Sequence, residues 1–552
     1  MNTSSLFSLG TKAMAASQAA LATTGHNIAN ANVQGYSRQQ AELASAPGQY
    51  SGSGYFGKGV DVTTVSRAHD AFLTREAASA RSLAAMDSSR LELLRELETV
   101  FPGGEQGVGH AAGEFFNAMV DLSAYPADAS TREVVLARAL DVADRFANAG
   151  QRLDALQQRV RDELQAGVAQ INRLSANLAE LNQRIGAAQA LGQPPNDLLD
   201  QRDQALSDLS QLVQISTVRA DDGSVSVFAA GGQNLVLRAT AQTLRVQADA
   251  NDASRLGVAV AASGALLQPQ ALGGGELAGL LRFQNEDLVD ARTRLGQLAA
   301  ALGGAVNRQQ AAGLDLRAPA GSGVPIFADV VATQAWPQAG SASGASVTLA
   351  LADATQLQAS EYSLRADPGG APGVWQLTRL SDGLVRSIAS GSTVDGLTIT
   401  VGAAPPPAAT DRFLLQPVTR AANGMKRVLD DIHGVAAASA APASNNANAL
   451  AYTALRDAAL VARGGSGGGA STLTDAYAAA MADIGVRVQG AASGAAISAA
   501  VATHAETARS AQSGVDLDEE AARLIHFQQS YQAAAKILQV AQTVFDTLLQ
   551  AA

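Results

Sequence analysis

The last stretch of the chain, DLDEEAARLIHFQQSYQAAAKILQVAQTVFDTLLQ (516–550), limits the possible folds more than any other. Phe527, Tyr531, Ala534, Leu538, Ala541, Phe545 and Leu548, with Leu524 just ahead, succeed one another at steps of 4, 3, 4, 3, 4 and 3. That spacing draws an apolar seam of the 3.5-residue period used in helix-on-helix packing. Asp516 and Glu519 have the separation of an N-terminal capping box. No Gly or Pro interrupts the run, so about 32 helical residues would reach roughly 48 Å. Asp518, Glu519 and Glu520 fall in the first turn, where the helix dipole favours negative charge. Such a seam needs a partner.

Residues 3–30 offer one. Leu6, Leu9, Ala13, Ala16 and Ala20 alternate by 3 and 4 beside a second line of Met14, Ser17, Leu21, Thr24 and Ile28, and small side chains on a helix face permit close approach. The segment exits through NIANANVQGYSRQ (27–39). There Asn27, Asn30 and Asn32 can bond nearby backbone, and Gly35 frees a turn before Tyr36.

Between these ends the hydrophobic period switches twice. A Gly/Ser/aromatic loop from Tyr50 to Gly59 and the strand-like VDVTTV precede a helix that carries Phe72, Leu73, Leu83, Leu91, Leu94, Leu97 and Phe101 and stops at Pro102. Residues 130–190 form the longest helical pattern, ended by Gly192 and Pro194-Pro195. Asn196 is then expected to cap a short return helix, NDLLDQRDQALSDLSQLV. From Val213 the pattern alternates, with two strands about an Asp-Asp-Gly-Ser turn, and helix returns at 276–310. Residues 313–417 are rich in Gly, Pro, Ser and β-branched residues, with a loop at Pro405-Pro406-Pro407. An irregular connector at 418–443, a helix over Ala449–Arg463, the flexible GGSGGGAS and an Ala-rich helix from Leu473 toward Ser510 complete the chain. The order predicts an α+β protein: an elongated helical stem built from N- and C-terminal helices, with β-rich insertions as outer domains. The expected units are 1–60 with 511–552 (terminal helical assembly domain), 61–212 with 276–312 and 418–510 (stem), 213–275 (small β-rich insertion) and 313–417 (outer β domain).

Composition narrows the function. Thirty-nine basic against 50 acidic residues leave a mild −11 with no basic cluster, which argues against nucleic acid and anionic membranes as partners. The absence of cysteine removes disulfides, thiol catalysis and Cys-based zinc sites. No uninterrupted apolar run reaches the roughly 18 residues of a membrane span. The apolar stretch at 13–22 is broken by Ser17 and Gln18, so a cleaved signal peptide is not expected. The histidines at 26, 69, 110, 433, 504 and 526 show no metal-ligand spacing, and PGGEQGVG lacks the Lys-Ser/Thr of a phosphate loop. Asp200, Arg202 and Asp203 read as ion pairs and hydrogen bonds that fix an antiparallel helix packing rather than as catalysts. No cofactor, metal or catalytic residue is expected.

The run Asn27, Ile28, Ala29, Asn30, Gly35 and Tyr36 after a first helix resembles the N-terminal signature of the flagellar axial proteins. The opening SSLFSLGTKAMAASQAALATTGHNIAN, the Ser37-Arg38-Gln39 extension, RAHDAFLTR (67–75) and the Asp-Glu-Glu and Phe-Gln-Gln-x-Tyr runs of 513–549 are most similar to the hook–filament junction branch, although His26 stands where Asn is commoner. The resemblance covers about 1–40 and 513–550, extends through helical-stem similarities, and owes little to 313–417. It implies a structural subunit that joins hook to filament, with paired terminal helices in the inner layer of a tube and outer domains facing solvent. Leu9, Ala13, Ala16, Ala20, Asn27, Asn30, Gly35, Tyr36, Arg38, Leu524 and the seam residues are then the expected assembly interface. Its implied partners are the hook protein, the next hook-associated junction protein, copies of itself in a ring and an export chaperone on the C-terminal helix, and its implied place is extracellular, reached without a cleaved signal peptide. One seam is little to order so long a helix, so both ends are expected to order on assembly. The competing readings are the hook protein or another axial subunit, a secreted coiled-coil protein that acts on membranes, and a secreted cell-wall hydrolase.

Overall fold

The computed structural model describes residues 3–551 except 52, 53, 230, 250, 251, 339, 340, 342, 343, 368–372, 403–407, 409, 443 and 465–468. The triple-proline loop and the middle of GGSGGGAS therefore lie outside the described residues. The chain opens with helix α1 (Thr3–Asn30), followed by β1 (Gln39–Ser45), β2 (Gln49–Ser51), β3 (Gly54–Phe56) and β4 (Val60–Arg67). β1 and β4 form an antiparallel ribbon with β2 and β3 paired near its tip, so the expected Gly/Ser/aromatic loop holds a short hairpin. Helix α2 (Ala71–Val100) starts where the Asp70 carboxylate accepts from the Phe72 and Leu73 amides, and α3 (Val108–Ala124) follows.

Helix α4 (Ala129–Gln189) is 61 residues long, about 90 Å at the usual rise. Asp128 caps it through the Thr131 amide, and Leu153, Val160, Leu164, Ile171, Leu178, Leu181 and Ile185 mark its buried stripe. Leu140 lies off that stripe and is exposed. Helix α5 (Asn196–Leu212) packs back on α4. Asn196 does not cap it. The cap position is Pro195, which carries no side-chain bond, while Asn196 Nδ2 is turned across to the Val65 carbonyl on β4 at 2.7 Å.

The first insertion holds β5 (Ile215–Arg219), β6 (Val225–Ala229), β7 (Asn234–Leu237) and β8 (Thr240–Ala241) in one sheet, and β9 (Leu244–Ala248) paired with β10 (Leu256–Val260). Helix resumes as α6 (Glu276–Arg282) and α7 (Leu288–Ala312), joined by a π-helical turn, Phe283–Asp287, that the sequence did not reveal. It turns Asp287 inward: fully buried, it takes a two-bond fork from Arg90 of α2 at 2.8 and 3.0 Å.

The outer β unit has a five-stranded sheet ordered β11 (Trp336–Pro337), β18 (Arg412–Leu415), β13 (Tyr362–Ala366), β14 (Val374–Arg379) and β15 (Val385–Ala389). Its companion sheet is ordered β12 (Val347–Leu351), β17 (Leu397–Val401) and β16 (Ser392–Val394). Leu349, Leu364, Trp375, Leu377, Ile399 and Phe413 share one core. The connector that contains α8 (Ala421–Gly424) is irregular, as expected, and it is packed. Leu314 and Phe327 bridge to Ala438 and Arg427, and Ile326, Phe327, Met425, Leu429 and Val435 enter the helical core. Helix α9 (Ala447–Ala454) spans eight residues, not the expected 15: after it the chain turns into β19 (Val461–Ala462), paired with β20 (Ala470–Ser471).

Helix α10 (Leu473–Ser513) runs antiparallel to α2, as shown by the Tyr477 hydroxyl on the Pro102 carbonyl at one end and Arg81 with Glu506 at the other. Helix α11 (Leu517–Ala551) returns along α1. An 18-residue window between Leu473 and Thr547 reaches a mean hydropathy of 1.2, so by length and composition this region could cross a membrane. The sequence reading missed it by counting uninterrupted apolar residues, whereas the average tolerates the Ser, Thr and Gly that punctuate the alanines.

Candidate functional site

The two chain ends meet along α1 and α11, with Phe7 edge-on to Phe545 at 6.5 Å near the tip and Asn27 bonded to Glu520 at the base. Small residues set the spacing. Gly10 is buried against Leu538, where an added Cβ would stand 2.8 Å from the leucine side chain. Ala16 and Ala20 on one side and Ala534 and Ala541 on the other are buried, while Leu9, Ala13, Leu524, Phe527, Tyr531 and Leu538 are half-buried. The seam thus faces its own N-terminal helix. Phe545 stays 44 % exposed despite its ring contact, and the side chain of Leu548 lies outside the described residues.

At the base the Asn-rich exit becomes a clasp. Asn27, 1 % exposed, uses its whole amide. Its Nδ2 donates to the Gln39 carbonyl at 2.8 Å and to Glu520 Oε2 at 3.0 Å. Its Oδ1 accepts from the Tyr36 hydroxyl at 2.8 Å and the Gln39 amide at 2.9 Å. Glu520, fully buried, takes a second bond from Arg523 at 3.1 Å. Burial first, then the Asp200, Asp197 and Glu520 carboxylates, push the Tyr36 phenol above its ordinary value, so it stays a hydroxyl donor. The Arg38 amide donates to the Ser513 carbonyl at 2.8 Å, and its guanidinium lies 3.5 Å from Glu519. The exit of α1 therefore holds the turn between α10 and α11. Gly35 has φ +81°, a left-handed conformation that suits glycine, and sits against Gln204. Asn30 does not join the clasp; its Nδ2 bonds the His26 carbonyl at 2.9 Å within its own helix.

Glu520 was missed. Read as one of three carboxylates answering the helix dipole, it is instead the buried anchor of the clasp. The signal was in the register: Glu520 lies four residues before Leu524, so it continues the apolar seam as a charge in a core position. The capping box forms in part. Asp516 accepts from the Asp518 and Glu519 amides at 2.9 and 3.2 Å, while the Glu519 carboxylate turns to Arg523 and Arg38.

Beneath the clasp Asp200 and Asp203 fork the Arg67 guanidinium, each at 2.7 Å, and Asp200 also accepts from the Ser37 amide at 3.0 Å. They pin the β1–β4 ribbon to α5 rather than one helix to another, as the sequence had suggested. Arg202 donates to the Gly223 carbonyl at 2.8 Å, and burial pulls its guanidinium down to about 10. His69, 3.6 Å from Asp203, has its pKa lowered from 6.5 by burial and by Arg67. The unfolded chain then takes up this proton before the folded one, so stability falls as pH drops through 6.5. His69→Gln is expected to flatten that part of the stability profile; urea titrations between pH 7 and 5 that show the same slope for both chains would refute it.

A further surface was not foreseen. Ile525, Ile537, Val540 and Val544 on α11, and Val486, Ile497 and Val501 on α10, are exposed, Val486 by 72 %.

Comparison with known proteins places these features. Residues 94–327 match the family described as flagellar hook-associated protein FlgK helical domain, and 338–417 match the D2-like domain of flagellar hook-associated protein 1. Residues 8–36 match the flagella basal body rod protein family and 508–551 the C-terminal family of the basal body rod FlgEFG proteins. Flagellar hook-associated protein 1 of Escherichia coli K12 is 32 % identical over 99 % of both chains, and that of Salmonella typhimurium 31 % over 99 % of both. The solved hook junction protein FlgK of Burkholderia pseudomallei shares the fold, with a TM-score of 0.71 at 23 % identity over 79 % of this chain and 99 % of that one.

Proposed function

The chain belongs to the flagellar hook-associated protein 1 family, and on that premise we propose how it works as a structural subunit between hook and filament. The observation that carries the reading is the Asn27–Glu520 clasp, which joins the first and last helices into one rod. The seam is spent within the subunit, so neighbouring subunits meet other surfaces: the exposed valines and isoleucines of α10 and α11. Exposed apolar side chains of this kind suit protein contact. The terminal unit, 1–60 with 511–552, packs against the hook protein, the next junction protein and copies of itself in a ring, and the outer β unit faces solvent. No bond is made or broken in this role. α11 is also the segment an export chaperone would hold before the chain leaves the cell uncleaved.

Cells that lack the chain are expected to keep their hooks and to release unassembled filament subunits into the medium. Attached filaments of ordinary length in such cells would overturn the reading.

A further inference from the structure

Far from the terminal clasp, a cleft of about 780 Å³ opens between α4, the β9–β10 turn and the strands β11 and β18 of the outer β unit. Its size lies within the range of small-molecule sites. Two features distinguish it from an ordinary gap between packed units. Trp336, beside Pro337 on the edge strand, lines it while 64 % exposed, and an indole left in water is a ready stacking face. The three arginines and three aspartates of the lining balance in number, but the arginines are not all paired. Asp154 is held by Arg292 at 2.5 Å and by Asn423 at 2.7 Å, and Asp252 by Arg255 at 2.9 Å. Arg161 makes a single long bond, 3.4 Å, to the Ser254 carbonyl, and Arg420 has no side-chain partner among the described residues.

We propose that this cleft binds a carboxylated sugar. The C–H face of a pyranose ring stacks on Trp336, because those hydrogens carry partial positive charge and the indole face is negative. The sugar carboxylate meets Arg420 and Arg161, whose planar donor forks match it. Ring hydroxyls, which both donate and accept, fit the mixed lining of Gln334 and Asp249. A neutral sugar leaves the two guanidiniums unmatched. A bare phosphate makes no use of the indole, and its second charge faces Asp154, Asp249 and Asp252 across the same space.

The chain has two tryptophans and Trp375 is buried, so a ligand-induced change in exposed emission reports Trp336. Full-length protein titrated with galacturonic acid and with its trimer is expected to give saturable quenching and calorimetric heat at about 1 mM or tighter. A tighter trimer marks a polysaccharide as the source; equal affinity per ring marks the free monosaccharide. Arg420→Gln and Trp336→Ala, both at exposed positions, should each weaken binding about tenfold or more with an unchanged circular dichroism spectrum. Saturable heat absent for both acids, glucose oligomers binding as well, inorganic phosphate displacing the sugar, or either variant binding like the parent would each overturn the proposal.

Discussion

Asn27→Leu is expected to unfasten the C-terminal helix while the stem and outer β unit stay folded. The substitution is close in volume, so its effect comes from polarity. It strands the Tyr36 hydroxyl, the buried Gln39 amide and the Glu520 carboxylate, which keeps only Arg523. Each neutral orphan costs about 1–3 kcal/mol and a buried charge more, so the terminal pair loses on the order of 5 kcal/mol. The core of α3, α4 and α7 shares no residue with this pair and should not respond. Hydrogen exchange on assembled subunits, where both ends are expected to be ordered, reads the difference: amides of 517–541 lose protection while those of 135–185 keep it. Protection unchanged at 517–541 would show that the seam alone holds the helix. Asn27→Asp sharpens the test, since it keeps the acceptor but sets a second carboxylate beside Glu520. Its defect should ease on acidification, as the introduced carboxyl takes a proton.

Gly296→Val should break the joint between stem and outer β unit. Gly296 lies in α7 against backbone: an added Cβ would stand 1.8 Å from the Val418 carbonyl oxygen. No rotamer relieves a clash with backbone, and its neighbours Leu295, Leu298 and Ala299 are buried, so α7 cannot roll away. The expected loss is about 3 kcal/mol or more, at the upper end of overpacking costs. Thermal unfolding should show a lowered midpoint, with altered near-ultraviolet dichroism from Trp375 in the β core next to the joint. Gly113→Ala is the matched control. It sits in α3 with open space at its Cβ, and the gain in helix propensity, roughly 1 kcal/mol, should leave stability unchanged or raised. Equal midpoints for Gly296→Val and the parent chain would refute the account.

What could be read from the residues was whatever repeats. The 4–3 steps of α11, the stripe of α4 and the strand alternation after Val213 are periodic, and periodicity survives without coordinates. The small-faced line of α1 was readable as a close-packing face, and Gly10, next to Leu9 of that line, packs against Leu538. Single-residue switches were not readable. The π turn at Phe283–Asp287 changes no pattern and shows only as Asp287 turned into the interior. The early end of α9 depends on a two-residue ladder between β19 and β20, too short to leave a period. Asn196 has a capping residue's chemistry, yet the nearby Val65 carbonyl draws it away, and that neighbour is 131 residues distant in sequence. Asp200 and Asp203 were rightly read as structural, with the wrong partner, because Arg67 reaches them from a ribbon rather than a helix.

The antiparallel pairing of α1 with α11 and of α2 with α10 has a consequence in time. A chain delivered N-terminus first presents α1 and α2 long before the residues that complete them; Asn27 and Glu520 are 493 positions apart. Closing so wide a loop is slow compared with folding the local helices. Until the final segment arrives, the opening helices have an alanine face with nothing on it, and the subunit has no finished end to offer. Helix α11 is thus the element that closes the pair, and a chain cut before Leu517 would leave that face of α1 uncovered.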